Sequence, residues 1–235
     1  MENRKNLAIV GLGLLGGSLG LALANSGWRR LGWSRRPETG QEALKMGAVD
    51  EAPESLAETL RQADITVLAT PLEPTMAILH DHAGDWQPGS LVTDLGSLKQ
   101  QIVTVAEKAL SGTGVHFVGS HPMAGTEKSG LANSFAELYN NADVFLCPAS
   151  GTPDQIVHVM ADFWEQLSCR SHVMESAPHD HLVARTSHVL HILASMLARS
   201  ILKADNEQEK HERFCGCATG FRDISRIAAS SPAMW

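Results

Sequence analysis

The chain has 235 residues, of which 43% are hydrophobic and 19% charged. That composition excludes a disordered chain, and the length exceeds one small module at about 100–200 residues per domain. Nineteen Lys and Arg against 26 Asp and Glu give a net charge of −7, which offers no general attraction to nucleic acid or to an anionic membrane. An anionic ligand must then be held by a local cluster of donors. No apolar run approaches the roughly 18 residues of a membrane span. The first six residues lead straight into a strand, so no signal peptide is expected. Four Cys are too few for a disulfide scaffold, and a reducing cytoplasm is the expected location. Cys215 and Cys217 with His211 match no common zinc spacing, and no metal is expected.

In chain order, residues 7–10 are continuously apolar and predict a buried strand. A helix is predicted over 14–25 and a short strand around 31–33. Thr39 with Glu42, and Ser55 with Glu58, have capping-box spacing and predict helix starts. Residues 65–69 predict a strand closed by Thr70 and Pro71, and 91–94 another. Ser97 with Gln100 predicts a capped helix after it. Residues 115–119 continue the series, and 144–147 predict an edge strand. Alternating strands and helices imply a parallel sheet covered on both faces. From about Pro178 the pattern changes. Residues 179–202 read as one long helix, apolar nearly all round, and so buried, between subunits in one reading. Residues 203–213 are charged and predict a solvated turn and helix start, and 218–235 hold a dense polar cluster.

Gly11, Gly13 and Gly16 form a GxGxxG motif directly after the first strand, with Leu12, Leu14 and Leu15 between and beside them. Gly11 permits a tight turn, Gly13 lets a pyrophosphate approach the backbone, and Gly16 lets helix and strand pack closely. A lone motif of this kind is weak, but strand, loop and helix are the context it needs. Where NAD-preferring folds carry an acidic residue, this chain has Ser34, Arg35 and Arg36. A hydroxyl and two guanidiniums suit a 2′-phosphate, so NADP is expected ahead of NAD, although a solvated basic turn is the plainer alternative. Thr70, Pro71 and Ser97 join the expected nucleotide contacts.

Three polar segments fall at strand ends or helix starts: Asp94 to Lys99, His121 to Glu127, and Gly220 to Arg226. Read singly, each has a bland explanation: Ser97 as a helix cap, His121 as a structural imidazole, Arg222 and Arg226 as a solvated helix face. His188 and His191 lie three apart in a near-apolar helix, with His181 seven residues before His188. They read as satisfied core histidines, as pocket residues, or less readily as a metal triad. Taken together, the segments Gly11-Leu-Gly-Leu-Leu-Gly-Gly-Ser18, Thr93-Asp-Leu-Gly-Ser-Leu-Lys99, Gly119-Ser-His-Pro-Met-Ala-Gly-Thr-Glu127, His179-Asp-His-Leu-Val-Ala-Arg-Thr-Ser-His188 and Gly220-Phe-Arg-Asp-Ile-Ser-Arg-Ile-Ala228 resemble the prephenate/arogenate dehydrogenase family of tyrosine biosynthesis. The resemblance runs over essentially the whole chain.

The resemblance implies an α/β fold: an N-terminal Rossmann-type doubly wound parallel sheet over 1–175, then an all-α dimerisation domain over 176–235, here shortened. It implies oxidative decarboxylation of prephenate or arogenate with hydride passing to NADP, in a homodimer. His121 matches the family base, for which an ordinary imidazole pKa of about 6.5 is suitable. Ser97 would bond His121 and the substrate or nicotinamide. Arg226 would hold the ring carboxylate, with Asp223 beside it in an ionic network. His188, His191, Thr126 and Glu127 complete the expected substrate pocket. The absence of a chorismate-mutase bundle or regulatory domain implies a monofunctional enzyme. Two alternatives are a non-catalytic NADP-binding sensor and another hydroxyacid dehydrogenase of the same architecture. A sensor needs no substrate clamp such as Ser97, His121 and Arg226. The hydroxyacid enzymes commonly use a lysine that the long helix lacks.

Overall fold

In a computed structural model, residues 5–229 are described. The first part alternates strands and helices: β1 Asn6–Val10, α1 Leu14–Ala22, β2 Arg29–Trp33, α2 Pro37–Lys45, α3 Leu56–Arg61, β3 Ile65–Leu68, α4 Leu72–Asp81, β4 Leu91–Asp94, α5 Gln100–Ala109 and β5 His116–Pro122. Two short 3-10 turns, Leu131–Asn133 and Ala136–Tyr139, lead to β6 Asp143–Pro148, α6 Asp154–Glu165 and β7 Arg170–Val173. The helical part follows as α7 Ser176–Val183, a π-helical turn Ala184–His188, α8 Val189–Leu202, α9 Glu207–Cys215 and α10 Thr219–Ala228.

The sheet has seven strands in the order β2-β1-β3-β4-β5-β6-β7. Pairings from β2 through β5 are parallel, β5 with β6 is antiparallel, and β6 with β7 is parallel again. β1 is paired on both sides, by β2 and β3, and Leu7 to Val10 are fully buried. Alternate residues face opposite layers. Leu7 and Ile9 pack with Leu19, Val118 and Trp164 on one face, whereas Val10, Leu68 and Val92 pack with Ile102 and Trp86 on the other. A sheet covered on both sides explains why its strands read as unbroken apolar runs rather than alternating ones.

Several local expectations are corrected. The first helix stops at Ala22 rather than Asn25. Thr39 does not open α2: Pro37 occupies its first turn, Arg36 is the N-cap, and Thr39 is buried inside it. Proline with φ preset for a helix outcompetes a hydroxyl two residues later. Ser55 does cap α3, accepting from Glu58 N at 3.4 Å. Ser97 does not cap α5, whose N-cap is Lys99. β6 is not an edge strand, because β7 pairs outside it. β7 escaped notice since its sequence, Arg-Ser-His-Val, is polar and largely exposed. The 179–202 segment is two helices joined by the π-helical turn. It is not buried within the chain: Ile192, Leu193 and Met196 are 60%, 50% and 64% exposed. On α8 the buried residues are the small Ala194 and Ala198, and α10 packs against this helix. Of the polar C-terminal segment, residues 230–235 lie outside the described residues.

Candidate active site

The glycine motif forms the turn that its spacing predicted. Gly11 has φ +101°, and a Cβ there would lie 2.6 Å from the carbonyl oxygen of Ala69 at the end of β3. A Cβ on Gly16 would collide with the carbonyl of Gly11, so only glycine lets α1 start this close to β1. Gly13, by contrast, faces open space. No side chain caps the first turn of α1, so its backbone donors remain for an anion. Leu12 and Leu14 are buried in the core, so only their backbone can serve a nucleotide, while Leu15 is half-buried. Ser34, Arg35 and Arg36 follow β2 at the same end of the sheet. Both arginines are exposed, and Ser34 Oγ accepts from Arg36 N at 3.3 Å. Thr70 and Pro71 border the glycine turn, with Thr70 Oγ1 2.7 Å from Thr75 Oγ1. The glycine turn and the uncapped start of α1 thus present backbone N–H groups to which an anion could bind.

A cleft of about 620 Å³ opens between the end of β5 and the helical part. It is lined by His121, Ser97, Thr126 and Glu127 on the sheet side and by His188, His191 and Arg226 on the helical side. Six of the seven side chains come from strand ends or the turns after them, or from α8 and α10; the seventh, His188, ends the π-helical turn, a feature common at functional sites. α10 is tied to α8 where His191 Nδ1 lies 3.1 Å from the carbonyl of Ile227. Asp223 is exposed and is not among the residues lining the cleft. His181 is exposed too. Among the described residues no cluster of three His, Cys, Asp or Glu side chains is arranged to hold a metal. Cys215 Sγ meets only one of the suspected partners, His211 Nε2, at 3.5 Å.

His121 sits near the C-terminal end of β5, 9% exposed. Its Nδ1 is 2.9 Å from His179 Nε2, and His179 Nδ1 is 2.8 Å from Asp180 Oδ1. Asp180 in turn accepts from the backbone N–H groups of Lys99 (2.8 Å) and Gln100 (3.0 Å). It thus supplies the cap on α5 that Ser97 was expected to give. Beneath this chain lies a fully buried ion pair between Lys99 and Asp94. Lys99 Nζ also donates to the carbonyl of Ser120 at 2.9 Å, and Gly96 N donates to Asp94 at 2.8 Å. That pair holds the loop carrying Ser97. Burial pushes the His121 pKa down to about 3, helped by the Lys99 ammonium and only partly opposed by the Asp180 carboxylate. The expected value near that of free imidazole is therefore not met, and His121 is neutral at any ordinary pH. Burial also lowers the pKa values of His188 and His191. Among the described residues lining the cleft, Arg226 is then the one permanent cation.

In the sequence His179, Asp180, Lys99 and Asp94 stood inside the motif segments but were assigned no role. The available signal was His179 and Val183 at i and i+4, the two buried residues of α7. Projecting one unbroken helix back from His188 chose His181 instead, and the π-helical turn at Ala184–His188 breaks that phase.

The family model for the prephenate dehydrogenase nucleotide-binding domain matches residues 19–173, and that for the prephenate dehydrogenase dimerization domain matches 175–235. The chain is 37% identical over its whole length to a prephenate dehydrogenase of Bacillus subtilis, and it spans 63% of that enzyme's length. In three dimensions it is similar to the prephenate dehydrogenase of A. aeolicus in complex with hydroxyphenyl propionate and NAD+. That likeness has a TM-score of 0.87 at 30% identity, covering 98% of this chain and 80% of the other. It is also similar to Synechocystis arogenate dehydrogenase, with a TM-score of 0.80 at 30% identity, covering 97% and 80%. Two family models in sequence, a tight glycine turn between β1 and α1 and a cleft lined by three imidazoles and the Arg226 guanidinium agree: the chain belongs to the prephenate dehydrogenase family.

Proposed function

We propose that this chain is an NADP-dependent dehydrogenase that oxidatively decarboxylates prephenate, arogenate or both, with residues 1–175 binding nucleotide and 176–235 completing the substrate site. The observation that carries this reading is the neutral His121 lining one side of a cleft that Arg226 lines from the other. A bound nicotinamide would supply the hydride acceptor. The chain's own residues hold the substrate and handle its hydroxyl. His121 accepts the hydrogen bond of the ring hydroxyl while the carbon bearing it gives up hydride. Negative charge on a bound dianion favours protonated imidazole, so the substrate itself draws His121 up from its low pKa. Arg226 holds a carboxylate through its planar fork. Ser97, on the loop fixed by Asp94 and Lys99, orients the hydroxyl and the nicotinamide edge. His188 and His191, uncharged, offer hydrogen bonds to the side chain of the substrate without adding a buried charge. Thr126 and Glu127 border the same end.

Ser34 and the two exposed arginines after β2 support NADP over NAD, since no carboxylate stands there to repel a 2′-phosphate. The two substrates differ only in a keto or amino side chain, and both are admitted by this reading. Replacing His121 with Asn keeps a hydrogen-bonding group but removes the base. Steady-state turnover should fall by about 10²- to 10⁴-fold while NADP+ binding persists. Turnover near that of the unmodified protein would remove His121 from the chemistry and with it this assignment.

A further inference from the structure

His121 is a useful acceptor only in one of its two neutral tautomers, and the residues behind it bear on which. Asp180 belongs to α7, in the helical part, yet its carboxylate accepts from Lys99 N and Gln100 N at the start of α5 in the nucleotide-binding part. Desolvation of this carboxylate is outweighed by His179 and by those two backbone donors, which hold its pKa below the usual value. It is ionised, and an ionised carboxylate can only accept. The proton on His179 must then stand on Nδ1, facing Asp180 Oδ1 at 2.8 Å. With its one proton placed there, the ring presents Nε2 as an acceptor, and that atom is 2.9 Å from His121 Nδ1. The single proton of His121 is therefore drawn to Nδ1.

We infer that His179 and Asp180 are positioning residues that set the tautomer of His121, leaving its Nε2 as a lone pair offered to the cleft. Neither residue touches the substrate. His179 is fully buried and packs at 5.1 Å between ring centroids against His121 and at 5.4 Å against Phe145, so it has no room to turn away. Asp180 is held by the helix whose first turn it closes, where an anion is favoured. The relay joins the two parts of the chain. The helical part sets the protonation pattern of a base carried by the sheet.

The tautomer is a property of the unliganded protein, and only its catalytic consequence rests on the proposed function. Nitrogen-15 spectra of the full chain with labelled histidine read it directly. The expected result is a His121 with protonated Nδ1 and unprotonated Nε2, and a protonated Nε2 would overturn the inference. Two variants supply a second arm. His179→Phe preserves an aromatic ring against Phe145 but removes the acceptor. Its kcat should fall by about 10²-fold or more with NADP+ affinity unchanged, and His121 should lose its single tautomer. His179→Gln can donate to Asp180 and accept from His121, so it should recover most of that kcat and the tautomer. Recovery of protein stability without recovery of kcat would mark His179 as a packing residue and overturn the inference. Loss of activity in His179→Phe with His121→Asn fully active would instead sink the proposed function, while the spectra would still decide the tautomer.

Discussion

His121 shows how burial changes what a residue can be. In water an imidazole is a proton switch at about pH 6.5. Here the fold places it beside an ammonium and two further imidazoles, and it stays neutral. This has a consequence for stability. Between about pH 6.5 and about 3 the unfolded chain binds a proton at this position and the folded chain does not. Stability therefore falls as pH falls through that window, by an amount of order a few kcal/mol for one buried imidazole. Urea unfolding at pH 7 and pH 5 should show the loss, and His121→Asn should lose less than the unmodified protein. Equal losses in both would show that His121 does not resist protonation in the folded state. His121, Ser97, Arg226, His188, His191, Thr126 and Glu127 were all legible from motifs, and all line one cleft. What supports them was not. The roles of Asp94 and Lys99 depend on their burial together, and that of Asp180 on a helix 80 residues earlier in the chain. No local spacing encodes such a pairing. Asp223, three residues before Arg226 on α10, is exposed and does not line the cleft that Arg226 lines.

At the scale of elements, the short apolar runs of the central sheet were read correctly, whereas the polar β7 and the long apolar 179–202 segment were not. β1, β3 and β4 are continuous buried runs that no helix pattern imitates. β7 is short and polar and exists because β6 offers it a partner. Caps were read well only where no better competitor stood nearby. Ser55 had none, whereas Thr39 lost to Pro37 and Ser97 to Asp180. The turn after β2 matters for cofactor choice. A hydroxyl and two exposed guanidiniums should favour the 2′-phosphate by about 30- to 200-fold after discounting for solvent and salt. Comparing kcat/KM for NADP and NAD tests this, and the preference should shrink as ionic strength rises. Ser34→Asp with Arg35→Ala should invert it, because a carboxylate repels the phosphate and accepts from the free ribose hydroxyl. Equal use of both nucleotides by the unmodified protein at low salt would reduce Ser34, Arg35 and Arg36 to a solvated turn.

At the scale of the whole molecule, the helical part looks unlike the sheet. Leu190, Ile192, Leu193, Met196 and Leu197 are each about half exposed or more, and Phe214 on α9 is 59% exposed. The expectation that this helix is buried is not met within the single chain, which leaves its apolar side chains exposed. A patch of this kind marks a partner surface, and a second copy is the partner that the dimerization-domain match points to. The described chain should therefore form a dimer at micromolar concentration by light scattering, and Met196→Glu should shift it toward monomer. A stable monomer of the unmodified chain would contradict this. No helix among the described residues is long and apolar enough to cross a membrane.

The reaction itself is the most direct test of the cleft's assignment. Purified protein should be given prephenate and arogenate in parallel, each with NADP+, while reduced nicotinamide and released CO2 are both counted. The expected result is one reduced nicotinamide for each CO2 from at least one of the two substrates, with the same substrate giving no turnover above background when nucleotide is withheld. Reduction without CO2, or neither product from either substrate while NADP+ binds normally, would contradict the assignment of this cleft to oxidative decarboxylation.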